Sequence, residues 1–429
     1  MTRTRIVATL GPATSSSEKI RALIEAGVDV FRLNFSHGTH AQHGELVKGI
    51  RHLAGGRPIA ILQDLCGPKL RLTRPVKGKP GETVEIDLPQ DVRAGDPVLL
   101  ADGIMQLEVI DSKHSRVIVG GDIPVGKGIN LPSSILDIPS LTPKDREDLA
   151  FGIAQKVDYV ALSFVRRASD LDEVKKSGLP VIAKIEKPQA LQNLEEIVRA
   201  ADGIMVARGD LGVEIPIERV PVAQKRVIAL ANREGKPVIT ATQMLRSMVD
   251  NPAPTRAEAT DVANAVLDGT DAVMLSEETA MGHYPVESVR MMDRILAEAE
   301  PLLQPHRDIL GPDAAEAIAH AACTLAERVN ASAIVVPTGT GFTARRIARY
   351  RPRIPILVLT NSEIVRRSLS LVWGVTALAA PWFNETSPVL ERFRESVKGI
   401  VPTGATVVVT AGWPFARPGT TNLVHVTTV

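Results

Sequence analysis

Lys184, Glu186 and Asp210 are the side chains of this sequence whose types and spacing best suit chemistry on a phosphate. Lys184 and Glu186 stand two apart in an apolar run, and alternation along an extended strand sends both to one side. Asp210 lies in Met205-Val206-Ala207-Arg208-Gly209-Asp210-Leu211-Gly212, a strand running into a loop. Glu186 and Asp210 supply the pair of carboxylates that Mg²⁺ takes when a substrate phosphate and waters complete its shell. Gly209 and the amide of Asp210 add backbone donors for a substrate carboxylate if a helix starts there. The plain alternative is a buried structural ion pair between Lys184 and Glu186, since such pairs also occur without function.

A second group lies in Phe31-Arg32-Leu33-Asn34-Phe35-Ser36-His37-Gly38. Arg32, Asn34 and Ser36 share one face of an extended segment, and the planar fork of an arginine matches a phosphoryl group. A solvated strand end would look the same, and His37 taken alone reads as structural. A third group is Asp64-Leu65-Cys66-Gly67-Pro68-Lys69-Leu70-Arg71, while Thr242 and Ser276 follow later apolar runs. A lone Thr or Ser is usually a cap. Here it counts because polar groups crowd the same end of successive strands.

These groups must be positioned by a repeated strand-then-helix unit. Short apolar runs at 5–10, 30–35, 58–63, 158–164, 180–185, 202–207, 237–241 and 271–275 suit parallel strands buried on both faces. Amphipathic helical segments follow most of them, as at 17–26, 190–200, 223–234 and 285–299. Eight units in about 300 residues predict an α/β fold, a (β/α)8 TIM barrel. A doubly wound sheet stays open, because alternation does not establish closure. About seventy residues of another character interrupt the rhythm after the third strand, far more than a connection needs. Their short alternating runs at 83–88, 97–100, 105–109 and 116–119 predict a small inserted β-domain placed as a lid. A helix at 314–329 and strands at 333–337, 355–360, 375–379, 405–410 and 422–427 predict a separate C-terminal α/β domain. The expected division is 1–72 and 137–305 for the barrel, 73–136 for the lid and 306–429 for the C-terminal domain. Within the last, Thr338-Gly339-Thr340-Gly341-Phe342-Thr343 is a hydroxyl- and glycine-rich loop that could cradle a phosphate or simply cap a helix.

Bulk numbers exclude several function classes. The 50 Lys plus Arg against 49 Asp plus Glu give no reason to expect a nucleic acid or an anionic membrane as partner. Two cysteines, Cys66 and Cys323, make neither a disulfide framework nor a metal cluster. No leader and no spanning apolar run is read, so a cytoplasmic location is expected.

At this point several motifs resemble the pyruvate kinase family, over nearly the whole chain. They are Ile6-Val7-Ala8-Thr9-Leu10-Gly11-Pro12, residues 32–38, 184–186, 206–212 and 241–245, and Ala348-Arg349-Tyr350-Arg351-Pro352. The resemblance implies transfer of the phosphoryl group of phosphoenolpyruvate to ADP, the last step of glycolysis, with Mg²⁺ (or Mn²⁺) as cofactor. It implies that Arg32 and Lys184 hold the phosphoryl group, with the metal on Glu186 and Asp210. The amides of Gly209 and Asp210, with Thr242, bind the substrate carboxylate, and Lys184, Thr242 and Arg32 carry catalysis. Asn34, His37, Arg71 and, from the lid, Lys127 face the nucleotide phosphates. It also implies a homotetramer and a phosphorylated effector at Thr338, Gly339, Thr340, Gly341 and Thr343.

The chain departs from the family at the monovalent-cation pocket. Many members bind potassium near positions matching Asn34, Ser36, Asp64 and Leu65, with an acidic residue where this chain has Lys69. The expectation is that the Lys69 ammonium replaces potassium, which is then not required. Glu277 replaces a common glycine, with no effect deduced from sequence. Two rivals remain: a magnesium-dependent aldolase or lyase handling a pyruvate enolate, which needs no ADP, and a catalytically silent binding protein.

Overall fold

The computed structural model describes residues 2–89, 91–133, 138–306, 311, 313–381, 395–412 and 420–429. Eight parallel strands close a barrel: β1 (Arg5–Thr9), β2 (Val30–Asn34), β3 (Ala60–Asp64), β4 (Tyr159–Leu162), β5 (Val181–Ile185), β6 (Gly203–Ala207), β7 (Val238–Ala241) and β8 (Ala272–Leu275). Each pairs with its sequence neighbours and β8 returns to β1, so the doubly wound alternative is overturned by ring closure. Seven of the eight are buried at every residue, and β2 opens at Arg32 and Asn34. That burial explains their continuous apolar character, since helices cover the outside and side chains fill the inside.

Helix starts are fixed locally. Thr39, Thr142 and Thr255 each form a capping box with Gln42, Asp145 and Glu258, which satisfies amides that the first turn leaves unpaired. The segment read as one helix over 190–200 is broken at Asn193 into Pro188–Gln192 and Leu194–Ala200. There the Asn193 side chain donates to the Arg166 carbonyl at 2.9 Å, an alternative to continuing the helix.

The insertion after β3 is a five-stranded antiparallel sheet in the order Ile129–Asn130, Pro97–Leu100, Met105–Val109, His114–Val119, Thr83–Glu85. A ribbon of Val76–Gly78 with Gly121–Ile123 completes it, around a core that includes Val98, Leu100, Met105 and Leu107. The strands missed by sequence, such as Ile129–Asn130, span only two or three residues, too short for alternation to register.

The C-terminal sheet runs Val375–Ala379, Ile356–Thr360, Ala333–Pro337, Thr406–Ala411, Leu423–Thr428, with only the last pair antiparallel. This domain is plugged into the floor of the barrel. Leu371 is fully buried in the barrel's interior cluster with Val7, Tyr159, Met205 and Met274. Beside it the Tyr159 hydroxyl donates to the Ser368 carbonyl, and Arg351, itself buried, meets Asp271 at 2.9 Å at the root of β8. No helix among the described residues is long and apolar enough to cross a membrane.

Leu371→Ala should therefore destabilise the fold by about 2–5 kcal/mol, the range for emptying a packed leucine site. Denaturant titration should show an earlier midpoint than wild type.

Candidate active site

The carboxyl ends of the barrel strands gather the charged residues. Lys184, near the end of β5, is 8% exposed. Its Nζ donates to Ser163 Oγ at 2.8 Å. It also lies 2.9 Å from Glu186 Oε1 and 3.2 Å from Asp64 Oδ1, the latter a charge contact without hydrogen-bond alignment. On the other side of Asp64, Arg32 Nε donates to Oδ2 at 2.6 Å, and Arg32 Nη1 donates to Thr9 Oγ1 at 3.1 Å. The second carboxylate oxygen of Glu186 accepts from the Phe164 amide at 2.8 Å.

Burial opposes the Lys184 ammonium, but Asp64 and Glu186 outweigh it and hold its pKa above the ordinary 10.5. Burial pushes Asp64 up, yet Lys184 and Arg32 together bring it below 3.8. Glu186 goes the other way: burial raises it, Lys184 opposes, and the charge of Asp210 adds to the rise. A carboxylate that is hard to keep ionised, with a second carboxylate near it, is a place where a further cation is favoured.

The expected metal fits this arrangement. Among the described residues no group of three or more His, Cys, Asp or Glu could hold an ion. An ion taken at the expected pair Glu186 and Asp210 would complete its shell with waters and substrate phosphate oxygens, as Mg²⁺ does.

Asp210 is third in the helix Arg208–Glu214, which starts directly after β6. Thr242, at the end of β7, has a φ of 68°, and Phe164, after β4, has 57°. Such left-handed backbone is uncommon outside glycine and clusters at functional sites. The Gly209 amide donates to Thr242 Oγ1 at 2.7 Å. This pairs one expected carboxylate donor with the expected hydroxyl. Arg208 braces the same corner through the carbonyls of Ala241 and Thr242. Lys69 Nζ lies 3.4 Å from Asp210 Oδ1. Among the described residues that is its ion pair, with no hydrogen bond to Asn34, Ser36 or Asp64.

Around this centre the remaining expected residues differ in setting. Asn34 Oδ1 accepts from the Ser36 amide at 3.1 Å, closing the turn after β2. His37 is exposed, and its carbonyl accepts from His43 if His43 carries the proton on Nε2. Arg71 is exposed and reaches the Gly126 carbonyl at 3.0 Å, so it touches the lid loop that carries Lys127. Gly67 has φ 69°, and a Cβ there would come within 2.7 Å of the Phe164 ring, so only glycine lets this loop pass. Glu277 pairs with Arg246 at 2.7 Å, joining the loops after β8 and β7. The hydroxyl of Ser276 is buried without a partner.

Ser163 and Thr9 were not singled out by sequence. Ser163 hides inside the apolar run of the fourth strand, and its only signal was its place at that strand's end. In the C-terminal domain, the Thr338 hydroxyl accepts from the Thr340 and Gly341 amides at 3.3 and 2.9 Å. These bonds close the loop on itself ahead of the helix Phe342–Ala348, whose N-cap Gly341 (φ 78°) carries no side-chain cap. Of the neighbouring segment Gly412–Thr421, whose sequence differs from the sugar-bisphosphate type, residues 413–419 lie outside the described residues.

Asp64→Asn removes the carboxylate shared by Arg32 and Lys184, which should cost about 3–5 kcal/mol, as breaking a buried pair does. The folded pKa of Asp64 is depressed, so its contribution exists above the unfolded value of about 3.9 and is lost as pH falls through the folded one. Acid unfolding curves should show that loss in wild type and lack it in Asp64→Asn.

Known proteins resemble this chain in sequence over nearly its whole length. The sequence profile of the pyruvate kinase barrel domain matches residues 1–87 and 82–289, and that of the pyruvate kinase alpha/beta domain matches 316–427. A pyruvate kinase of Sporosarcina psychrophila is 44% identical over 471 residues, covering 99% of this chain and 80% of its own length. One of Geobacillus stearothermophilus is 44% identical over 469 residues, with the same coverage of 99% and 80%. One of Agrobacterium vitis is 45% identical over 469 residues, covering 99% and 98%. With both domains matched and such relatives along nearly its full length, the chain belongs to the pyruvate kinase family.

Proposed function

We propose that this chain transfers the phosphoryl group of phosphoenolpyruvate to ADP, giving pyruvate and ATP, at the carboxyl end of its barrel. The observation that carries the reading is the buried Lys184 held between Asp64 and Glu186, with Arg32 behind and Asp210 beside it. Phosphoryl transfer needs positioning and neutralisation of spread negative charge more than covalent chemistry. In the resting site the two cations Lys184 and Arg32 balance Asp64 and Glu186. An arriving phosphate therefore brings charge that the side chains have not already neutralised.

The bond from phosphorus to the enol oxygen breaks, and a bond from phosphorus to a terminal oxygen of ADP forms. Lys184 and Arg32 hold the moving group and the oxygen it leaves. The amides of Gly209 and Asp210 with Thr242 hold the substrate carboxylate, and Thr242 orients the water that delivers a proton to carbon. Glu186 and Asp210 would hold Mg²⁺ or Mn²⁺, which would supply further positive charge to the reacting group. Asn34, His37, Arg71 and Lys127 face the nucleotide, and lid closure excludes water that would accept the phosphoryl group.

The finer points belong to the same reading. Lys69, next to Asp210, provides the charge that potassium provides elsewhere in the family. The division into barrel (1–72, 137–305), lid (73–136) and C-terminal domain (306–429) rests on the pattern of elements, the cytoplasmic setting on the lack of a spanning apolar run, and the homotetramer on the family resemblance. So does an effector at residues 338–343, where the loop's own hydroxyls already cap its amides.

A coupled assay of pyruvate formation tests this directly, run in buffer free of potassium and sodium. Wild type should turn over with Mg²⁺ and gain little from added potassium. Lys184→Met should lose turnover by roughly three orders of magnitude or more, as loss of a charge-stabilising group does. Near-normal activity in that variant would remove Lys184 from the mechanism, and strong stimulation by potassium would remove Lys69 from the cation role.

A further inference from the structure

Glu214 closes the helix whose other end carries Gly209 and Asp210. Glu214 is buried, its side chain 1% exposed, and one oxygen, Oε1, accepts from two separate elements. Lys187 Nζ reaches it at 2.6 Å and Asn130 Nδ2 at 2.9 Å. Lys187 directly follows Glu186, and its ammonium lies 5.4 Å from the centre of the Phe164 ring. Phe164 is the residue whose amide holds Glu186 Oε2. Asn130, 3% exposed, belongs to the lid, in the strand that pairs with Pro97–Leu100. A second contact runs alongside: Gly128 passes so close to Lys69 that a Cβ there would be 3.0 Å from Lys69 Cε, and Lys69 in turn meets Asp210.

The network is not built for stability. Glu214 Oε2 and Asn130 Oδ1 are buried without any partner, and a half-satisfied buried polar cluster is worse than an apolar one. What the cluster does provide is fixed geometry. Asp210 and Glu214 are four apart on one helix and so lie on the same face, while Lys187 and Glu186 are adjacent.

We propose that Glu214, with Lys187 and Asn130, is a positioning latch that sets the spacing of Glu186 and Asp210 and ties the lid to it. The latch rests on the reaction proposed above. It gives the lid a direct mechanical link to the helix that presents the metal carboxylate and the substrate amides. The chain thereby couples nucleotide-side closure to metal-side geometry.

The test uses the full chain with Asn130→Ala, Glu214→Ala and the double variant, with circular dichroism to establish folding. Asn130→Ala should lower kcat/KM for ADP by roughly 10–100-fold, the scale of a small misplacement, with Mn²⁺ affinity of the nucleotide-free protein unchanged by paramagnetic resonance. Glu214→Ala should lower both, the Mn²⁺ affinity by roughly 10-fold or more, as loss of an outer support does. The double variant should be no worse than Glu214→Ala, because the pair acts as a unit. Hydrogen exchange of residues 126–130 should quicken in Asn130→Ala, a readout that holds even if wild type makes no pyruvate and the functional reading fails. Should Glu214→Ala fail to fold, the Asn130→Ala kinetics and exchange decide alone. Unchanged ADP kinetics with unchanged exchange in Asn130→Ala, or additive losses in the double variant, would overturn the latch.

Discussion

An ammonium buried between two carboxylates is the constraint on which the rest of this molecule depends. Lys184 sits on β5, Asp64 ends β3, and Glu186 follows β5, so the Asp64 contact depends on β3, β4 and β5 lying side by side in parallel register. Removing three such charges from water is expensive, and the Lys184 contacts offset that expense only in one geometry. The barrel supplies this geometry because its strands are rigid, fully paired and buried on both faces. The outcome is a site whose charged groups are held in fixed positions before any ligand arrives, the preorganisation on which electrostatic stabilisation rests.

The other domains attach to this centre at opposite ends. Below, Leu371 fills the barrel floor and Arg351 grips Asp271 at the start of β8, the same strand that ends beside Ser276 and Glu278. Above, the lid touches the site through Arg71, Gly128 and Asn130. Glu278 ties the loops after β7 and β8 by accepting from the Leu245 and Ser276 amides.

Much of this was legible in the sequence, and the reasons differ by element. The eight barrel strands were readable because double burial writes continuous apolar runs, and two amphipathic helices emerged at their observed bounds, Ser17–Ala26 behind the Ser16 cap and Pro285–Ala299 behind its own opening proline. Lys184, Glu186 and Asp210 stood out because charge interrupts an apolar run only at a cost. Ring closure, by contrast, is a long-range property that no local pattern encodes. Contacts such as Lys69 with Asp210, 141 residues apart, or Asn130 with Glu214, 84 apart, are likewise invisible locally. Ser163 and Glu214 escaped because a small hydroxyl at a strand end and an acid at a helix end are ordinary residues until their partners are known. The break at Asn193 was missed because a side-chain bond to a distant carbonyl, not propensity, decides it.

The central claim is that Glu186 and Asp210 share one divalent ion next to the Lys184 ammonium. A crystal structure with Mg²⁺ and oxalate, an unreactive mimic of the enolate, tests it most directly. The account predicts metal bonded to both carboxylates, with oxalate oxygens on the metal and within reach of Lys184. Metal or oxalate bound away from Glu186 and Asp210, with that pair left unbridged, would contradict it.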